Sequence, residues 1–139
     1  MSELHNNHTP ETWDAGGADL TALFSALQAV EGFSAIGKAA LEPMRAKGLI
    51  HAHVRIPGMG AVLRIPRLSS FGLEPIQNLA YQAACFSRAE ASLRVPKLIG
   101  SIPPQRGIPW GALIISEIVG KTPLVPETLP AIAQTLAAI

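Results

Sequence analysis

Residues 51–65, HAHVRIPGMGAVLRI, decide the fold. From His51 to Ile56 the period is two, with Ala52, Val54 and Ile56 pointing one way and His51, His53 and Arg55 the other. That alternation is the mark of a half-buried strand. Pro57, Gly58, Met59 and Gly60 supply a turn, because proline presets φ and glycine tolerates the left-handed region. AVLRI then alternates again, with Val62 and Arg64 on one face and Ala61, Leu63 and Ile65 on the other. Two strands joined this closely form a hairpin, so the sheet around them is expected to be antiparallel.

Outward from the hairpin the periodicity becomes helical. Leu20, Leu23, Phe24, Leu27 and Val30 recur at helical spacing behind Asp19, a good N-cap, which predicts a helix ending near Gly32. A strand is expected near Pro43 to Ala46. After a loop from Pro66 to Pro75, Leu79, Ala83, Phe86 and Ala89 predict a helix over 76–91. KLIGSI and GALIISEI read as two more strands, joined by a loop holding Pro103, Pro104, Gly107 and Pro109. The expected class is α+β, an antiparallel sheet with a packed helix. Four segments follow: a polar, mobile tail over 1–17, a helical segment over 18–40, the sheet and its helix over 41–119, and a linker with a terminal helix over 120–139.

The chain has 139 residues, of which 48% are hydrophobic and 15% charged, enough for one core. Lys and Arg total 11 against 10 Asp and Glu, so no concentrated positive field is available for nucleic acid, and none is expected as a partner. The longest apolar stretch, GALIISEIVG, contains Glu117 and falls short of the roughly 20 residues that span a bilayer, so no membrane role is expected. Cys85 is the single cysteine, which excludes an internal disulfide, accords with a cytoplasmic location and reads as a small buried hydrophobe.

Three segments, KGLIHAHVRIPGMGAVLRIPR, NLAYQAACFSRAEASLRVPKLIG and GALIISEIVGKTP, resemble in order and spacing the aminoglycoside phosphotransferase and choline kinase-like family. That family has the protein-kinase fold, so the resemblance implies a kinase-like N-terminal lobe. It covers about Leu41 to Ile139. LPAIAQTLAAI is similar to the family's linker helix, and its stripe Leu129, Ile132, Ala133, Leu136 and Ile139 stops in mid-pattern. A second lobe is therefore expected downstream.

The resemblance also assigns residues. Gly48 would let backbone N–H groups approach nucleotide phosphates. Arg64 matches the strand residue that reaches the α- and β-phosphates, where a guanidinium donates paired hydrogen bonds. Gln82 falls where relatives carry a glutamate that holds the basic residue; it could accept one bond from Arg64, with Glu90 as another candidate partner. The Ser116 carbonyl and the Ile118 N–H would bind the adenine edge, Ile115 would close the back of that pocket, and Ile50 and Leu63 would wall it.

The function so implied is the ATP- or GTP-binding part of a small-molecule kinase that moves the γ-phosphate to a hydroxyl substrate. The catalytic aspartate and the Mg²⁺ ligands would come from the second lobe, so these residues alone are expected to be inactive. The alternative is a non-catalytic nucleotide-binding or protein-interaction module, self-associating through the open stripe of the terminal helix. His51 and His53 share a strand face without supporting carboxylates or cysteines, and read as solvated residues rather than metal ligands. Ser69, Ser70 and Ser116 have no His/Asp arrangement around them.

Overall fold

In a computed structural model, the structure describes residues 15–37, 41–45, 48–121 and 124–139. Most of the expected tail, the end of the helical segment at 38–40, the strand end at Ala46 and linker residues 122–123 lie outside the described residues. The elements are α1 (Leu20–Gln28), β1 (Glu42–Pro43), β2 (His51–Ile56), β3 (Ala61–Pro66), α2 (Pro75–Ala89), β4 (Leu98–Ile102), β5 (Ala112–Ser116) and α3 (Leu129–Ala138).

The class is α+β, and the five strands form one antiparallel sheet in the order β1-β2-β3-β5-β4. The β2–β3 hairpin closes where expected, with Ile56 opposite Ala61 and His53 opposite Arg64. β1 is shorter than the sequence suggests, two residues paired with Arg55 and Val54. α2 follows β3 and returns the chain to the far edge of the sheet, so β5 must insert between β4 and β3 to complete it.

Each face of the sheet carries a helix. On one, Leu23 and Leu27 of α1 are fully buried against Val54, Ile56, Leu63, Ile65, Ile102 and Ile114. The Asp19 Oδ2 accepts from the Ala22 N–H at 3.1 Å, capping α1, and the helix stops at Gln28 rather than near Gly32. The β4–β5 loop docks beneath this cap, where the Asp19 N–H donates to the Gly107 carbonyl at 2.8 Å. Glycine is required there, because φ at Gly107 is +81° and a Cβ would lie 2.6 Å from that of Ala22. Residues 15–17 depart from the expected tail, since Ala15 is buried in the same core and the Gly16 Cα lies against Arg67.

On the opposite face the core is small: Val62, Leu113, Ile115 and Leu79 are buried, flanked by Met44, Ala83, Phe86 and Leu98. α3 buries no side chain, and Leu129, Leu136 and Ile139 are exposed. Arg94 ties it to the end of α2, its Nη1 donating to the Thr135 Oγ1 at 3.2 Å. Among the described residues no helix is long and apolar enough to cross a membrane.

Candidate functional site

Strand alternation decides which side chains share the α2 face. His53, Arg64 and Leu113 stand opposite one another across β2, β3 and β5, and Arg55, Val62 and Ile115 form the next such row. His51 precedes them on β2. The histidines expected to be solvated are therefore half-buried on this face, and His51 meets α2 at Gln82.

Arg64 is the centre of this surface. Its Nη2 lies 3.1 Å from the His51 Nδ1, and its guanidinium stands over the Phe86 ring, 5.4 Å from the centroid, within range of a cation–π attraction. Among the described residues no carboxylate lies within 4 Å of it; both ion pairs there belong to Arg55. Glu90 thus makes no ion pair with Arg64. Burial without a counter-charge lowers the Arg64 pKa from its ordinary value, although a guanidinium stays charged.

The structure corrects the expected link from α2. Gln82 does not bond Arg64 directly; its Oε1 lies 3.0 Å from the His51 Nε2, and His51 stands between the two. Since Arg64 can only donate, the His51 Nδ1 must accept, and the ring proton sits on Nε2, donating to Gln82. Burial first, and then the charge of Arg64, push His51 down to about 4, while Gln82 opposes them. Burial and then the charges of Arg64 and Arg67 lower His53 as well. At neutral pH both rings are neutral, and His51 joins Arg64 to α2 without neutralising it.

A second correction concerns Leu63. A strand residue adjacent to Arg64 faces the other way, and Leu63 is fully buried beneath α1, so it cannot wall a pocket that Arg64 enters. Val62 occupies the position that the expectation gave to Leu63. Ile50 does border a concavity of about 230 Å³ that contains His51, Arg64, Gln82, Phe86 and Asn78. Cys85, expected to be buried, is exposed at the edge of the same concavity.

Gly48 is exposed, and a Cβ added there meets nothing within 4 Å, so sterics do not demand glycine. Its carbonyl accepts from the Arg67 Nη1 at 3.1 Å, and the residue borders an open concavity with Leu49, Ile50, His51 and His53. At the end of β5, Ile115 is buried beside Val62. The Ser116 N–H donates to the Lys97 carbonyl at 2.9 Å, and its Oγ accepts from the Lys97 N–H at 2.8 Å. Ile118 is exposed, and among the described residues its N–H has no backbone partner.

Two features were missed in the sequence. Arg55 on β2 donates through Nε to the Glu117 Oε1 at 2.6 Å and through Nη1 to the Glu42 Oε2 at 3.5 Å, pinning the segment after β5 to the β1 edge. Asn78 is 2% exposed on α2, one turn before Gln82. The polar pair Asn78 and Gln82, four apart beside the apolar stripe of Leu79, Ala83 and Phe86, was the signal available for it. Among the described residues no group of three or more His, Cys, Asp or Glu could hold a metal ion.

No protein-family model matches the chain, and neither the curated proteins nor the solved structures yield a significant match.

Proposed function

We propose that these residues form the nucleotide-binding lobe of a phosphotransferase that transfers the γ-phosphate of ATP or GTP to a hydroxyl of a small molecule. The observation that carries this reading is Arg64, a half-buried guanidinium whose polar contact among the described residues is a neutral imidazole. Such a cation gains most from an anionic ligand, because burial has removed part of its water and no carboxylate among the described residues replaces it. Supporting it, a helix follows the strand that bears Arg64 and packs over it, and the segment leaving β5 carries Glu117 to the same sheet face. This is the arrangement expected of an aminoglycoside phosphotransferase-like or kinase-like N-terminal lobe.

In this reading Arg64 positions phosphate oxygens, Gln82 of α2 holds its guanidinium through His51 of β2, and Ile115, buried beside Val62, would close the back of the base pocket. The Ser116 carbonyl and Ile118 N–H would meet the base edge, Ile50 would border it, and Gly48 would lie near the phosphates. Mg²⁺, which would neutralise phosphate charge, finds no ligand set among the described residues and would be held by a second lobe with the catalytic aspartate. The chain alone then binds nucleotide without turnover, and a cytoplasmic location accords with an ATP-dependent role. Calorimetric titration with ATP tests this: Arg64→Met is expected to weaken binding about tenfold or more, the loss of a charge-assisted pair of bonds. ATP affinity equal in the two proteins would refute it.

A second reading is an interaction module that is not catalytic. The exposed Leu129, Leu136 and Ile139 on α3 favour it, since they offer one apolar stripe to a partner or a second copy. Light scattering separates the two: a defined dimer lost in Leu136→Ser supports the module, and a monomer removes its basis.

A further inference from the structure

The loop that joins β3 to α2 borders the Arg64 concavity with Ser70 and Phe71. It is held at two points. The Ser69 Oγ accepts from the Phe71 N–H at 3.3 Å and from the Leu73 N–H at 3.0 Å, and the Phe71 ring meets Tyr81 of α2 edge-to-face, with 5.3 Å between centroids. Ser70 lies between these anchors, is exposed, and has no hydrogen-bond partner for its hydroxyl among the described residues. Other serines are already committed, since the Oγ atoms of Ser69, Ser92 and Ser116 each accept from a backbone N–H.

We propose that Ser70 is a phosphorylation site whose phosphoserine pairs with the Arg64 guanidinium across the concavity and closes it to any external anion. Exposure gives a modifying enzyme access to the hydroxyl, and the product then faces a cation. A phosphoserine carries about −1.5 to −2 charge at neutral pH and three acceptor oxygens. Arg64 commits one donor to His51 and keeps others, and no Asp or Glu borders the concavity. After burial, the charges of Arg64 and Arg67 lower both His51 and His53, so the field on this face is positive. The reaction needs a separate ATP-dependent protein kinase: the Ser70 Oγ attacks the γ-phosphorus, the bond from that phosphorus to the β,γ-bridging oxygen breaks, ADP leaves, and the hydroxyl proton passes to solvent. Six residues of chain tether the new anion to Arg64, at an effective concentration on the order of millimolar, so a free anion must displace it. That the displaced anion is a nucleotide rests on the function proposed above; the pair itself does not.

The test compares the 139-residue chain carrying phosphoserine at position 70 with the unmodified chain. In ³¹P spectra the second ionisation of the phosphoserine is expected to fall from its ordinary value of about 6 to about 5, a tenfold preference for the dianion, and to return to about 6 in Arg64→Met. The same midpoint in both phosphorylated chains would overturn the pair. Of the titratable groups that border the concavity with Ser70, His51 is held down to about 4 and Tyr81 is raised, so neither changes charge in that range. If Arg64→Met does not fold, the Arg64 Nε–H resonance decides: it should move with the midpoint of the phosphate, and indifference to the phosphate overturns the pair. Peptide mass spectrometry of the chain recovered from its own cells is expected to place phosphate on Ser70; its absence there, or phosphate on Ser69 instead, overturns the modification site. ATP affinity about tenfold weaker in the phosphorylated chain supports the nucleotide reading as well. Equal ATP affinity with the pair formed keeps the phosphoserine site and removes the nucleotide from Arg64, and an unmodified chain that binds no ATP removes the function proposed above while the ³¹P result still decides the pair.

Discussion

Beneath α1 the sheet is covered by apolar side chains, from Leu23 and Leu27 down to Val54, Leu63 and Ile114, all without solvent exposure. Beneath α2 the same strands present His51, His53, Arg55 and Arg64 beside only a few buried hydrophobes. One face can therefore hold the fold together while the other keeps polar groups half out of water, at a cost in stability that the first face offsets. A sheet with two equally dry faces would be more stable and would have nowhere to place a guanidinium lacking a carboxylate.

Matched substitutions on the two helices test this division directly. Leu27→Ala opens a hole in a fully enclosed core, and a loss of about 4 kcal/mol is expected, near the upper end for such changes. Leu79→Ala removes the same atoms beneath α2, where Leu79 already borders a surface concavity of about 160 Å³. Solvent can reach the vacated space, so about 2 kcal/mol is expected. Urea unfolding of both variants measures the difference. Equal losses would break the comparison, because the α2 face would then be as tightly packed as the other.

The hairpin, the α2 helix, the two later strands and the α+β class were legible because each rests on local periodicity over six or more residues or on a proline-glycine turn. β1 was harder to read: two residues paired at an edge carry no period. The site was legible only in part. Parity along AVLRI already places Arg64 with Val62 and away from Leu63, so the sequence contained the correction that the structure makes. The role of His51 was not readable, because it depends on Gln82 lying across from β2, a contact between residues 31 apart. Asn78 likewise looks like an ordinary helix polar residue, and its 2% exposure follows only from the packing of the folded chain. The Arg55–Glu117 contact spans 62 residues and follows from strand order alone.

Acid should loosen the α2 face before the α1 face. His51 has a folded pKa near 4 against an unfolded value of 6.5, and His53 is lowered in the same direction. Between those limits the unfolded chain binds more protons, so stability is fully present above pH 6.5 and is lost as pH falls through the folded value. Because the rings are only half-buried, solvent screening reduces the effect, and about 1–2 kcal/mol is expected across that window. His51→Asn, which keeps a polar group between Arg64 and Gln82, should flatten the dependence. An unfolding midpoint independent of pH from 6.5 to 4, once carboxylate effects are matched with that variant, would contradict the neutral His51 assignment.

The smallest effect is expected at the border between the two faces and the outer edge. Arg55 sits on the α2 face, yet its guanidinium reaches Glu117 and Glu42 at the surface, where its side chain retains 40% of its exposure. An exposed pair is largely screened, so Arg55→Gln should lower the unfolding midpoint less than either leucine change, and the difference should vanish in about 0.5 M salt. The contact has a second consequence, because Glu117 joins β5 to the segment that would meet a nucleotide base. Releasing it should quicken exchange of the Glu117 amide, which donates to the Gly60 carbonyl at 2.8 Å, while leaving Ile114, fully buried under α1, unchanged. Faster exchange at Ile114 as well would mean that the pair braces the whole sheet, and the separation of a stabilising face from a binding face would not extend to this edge.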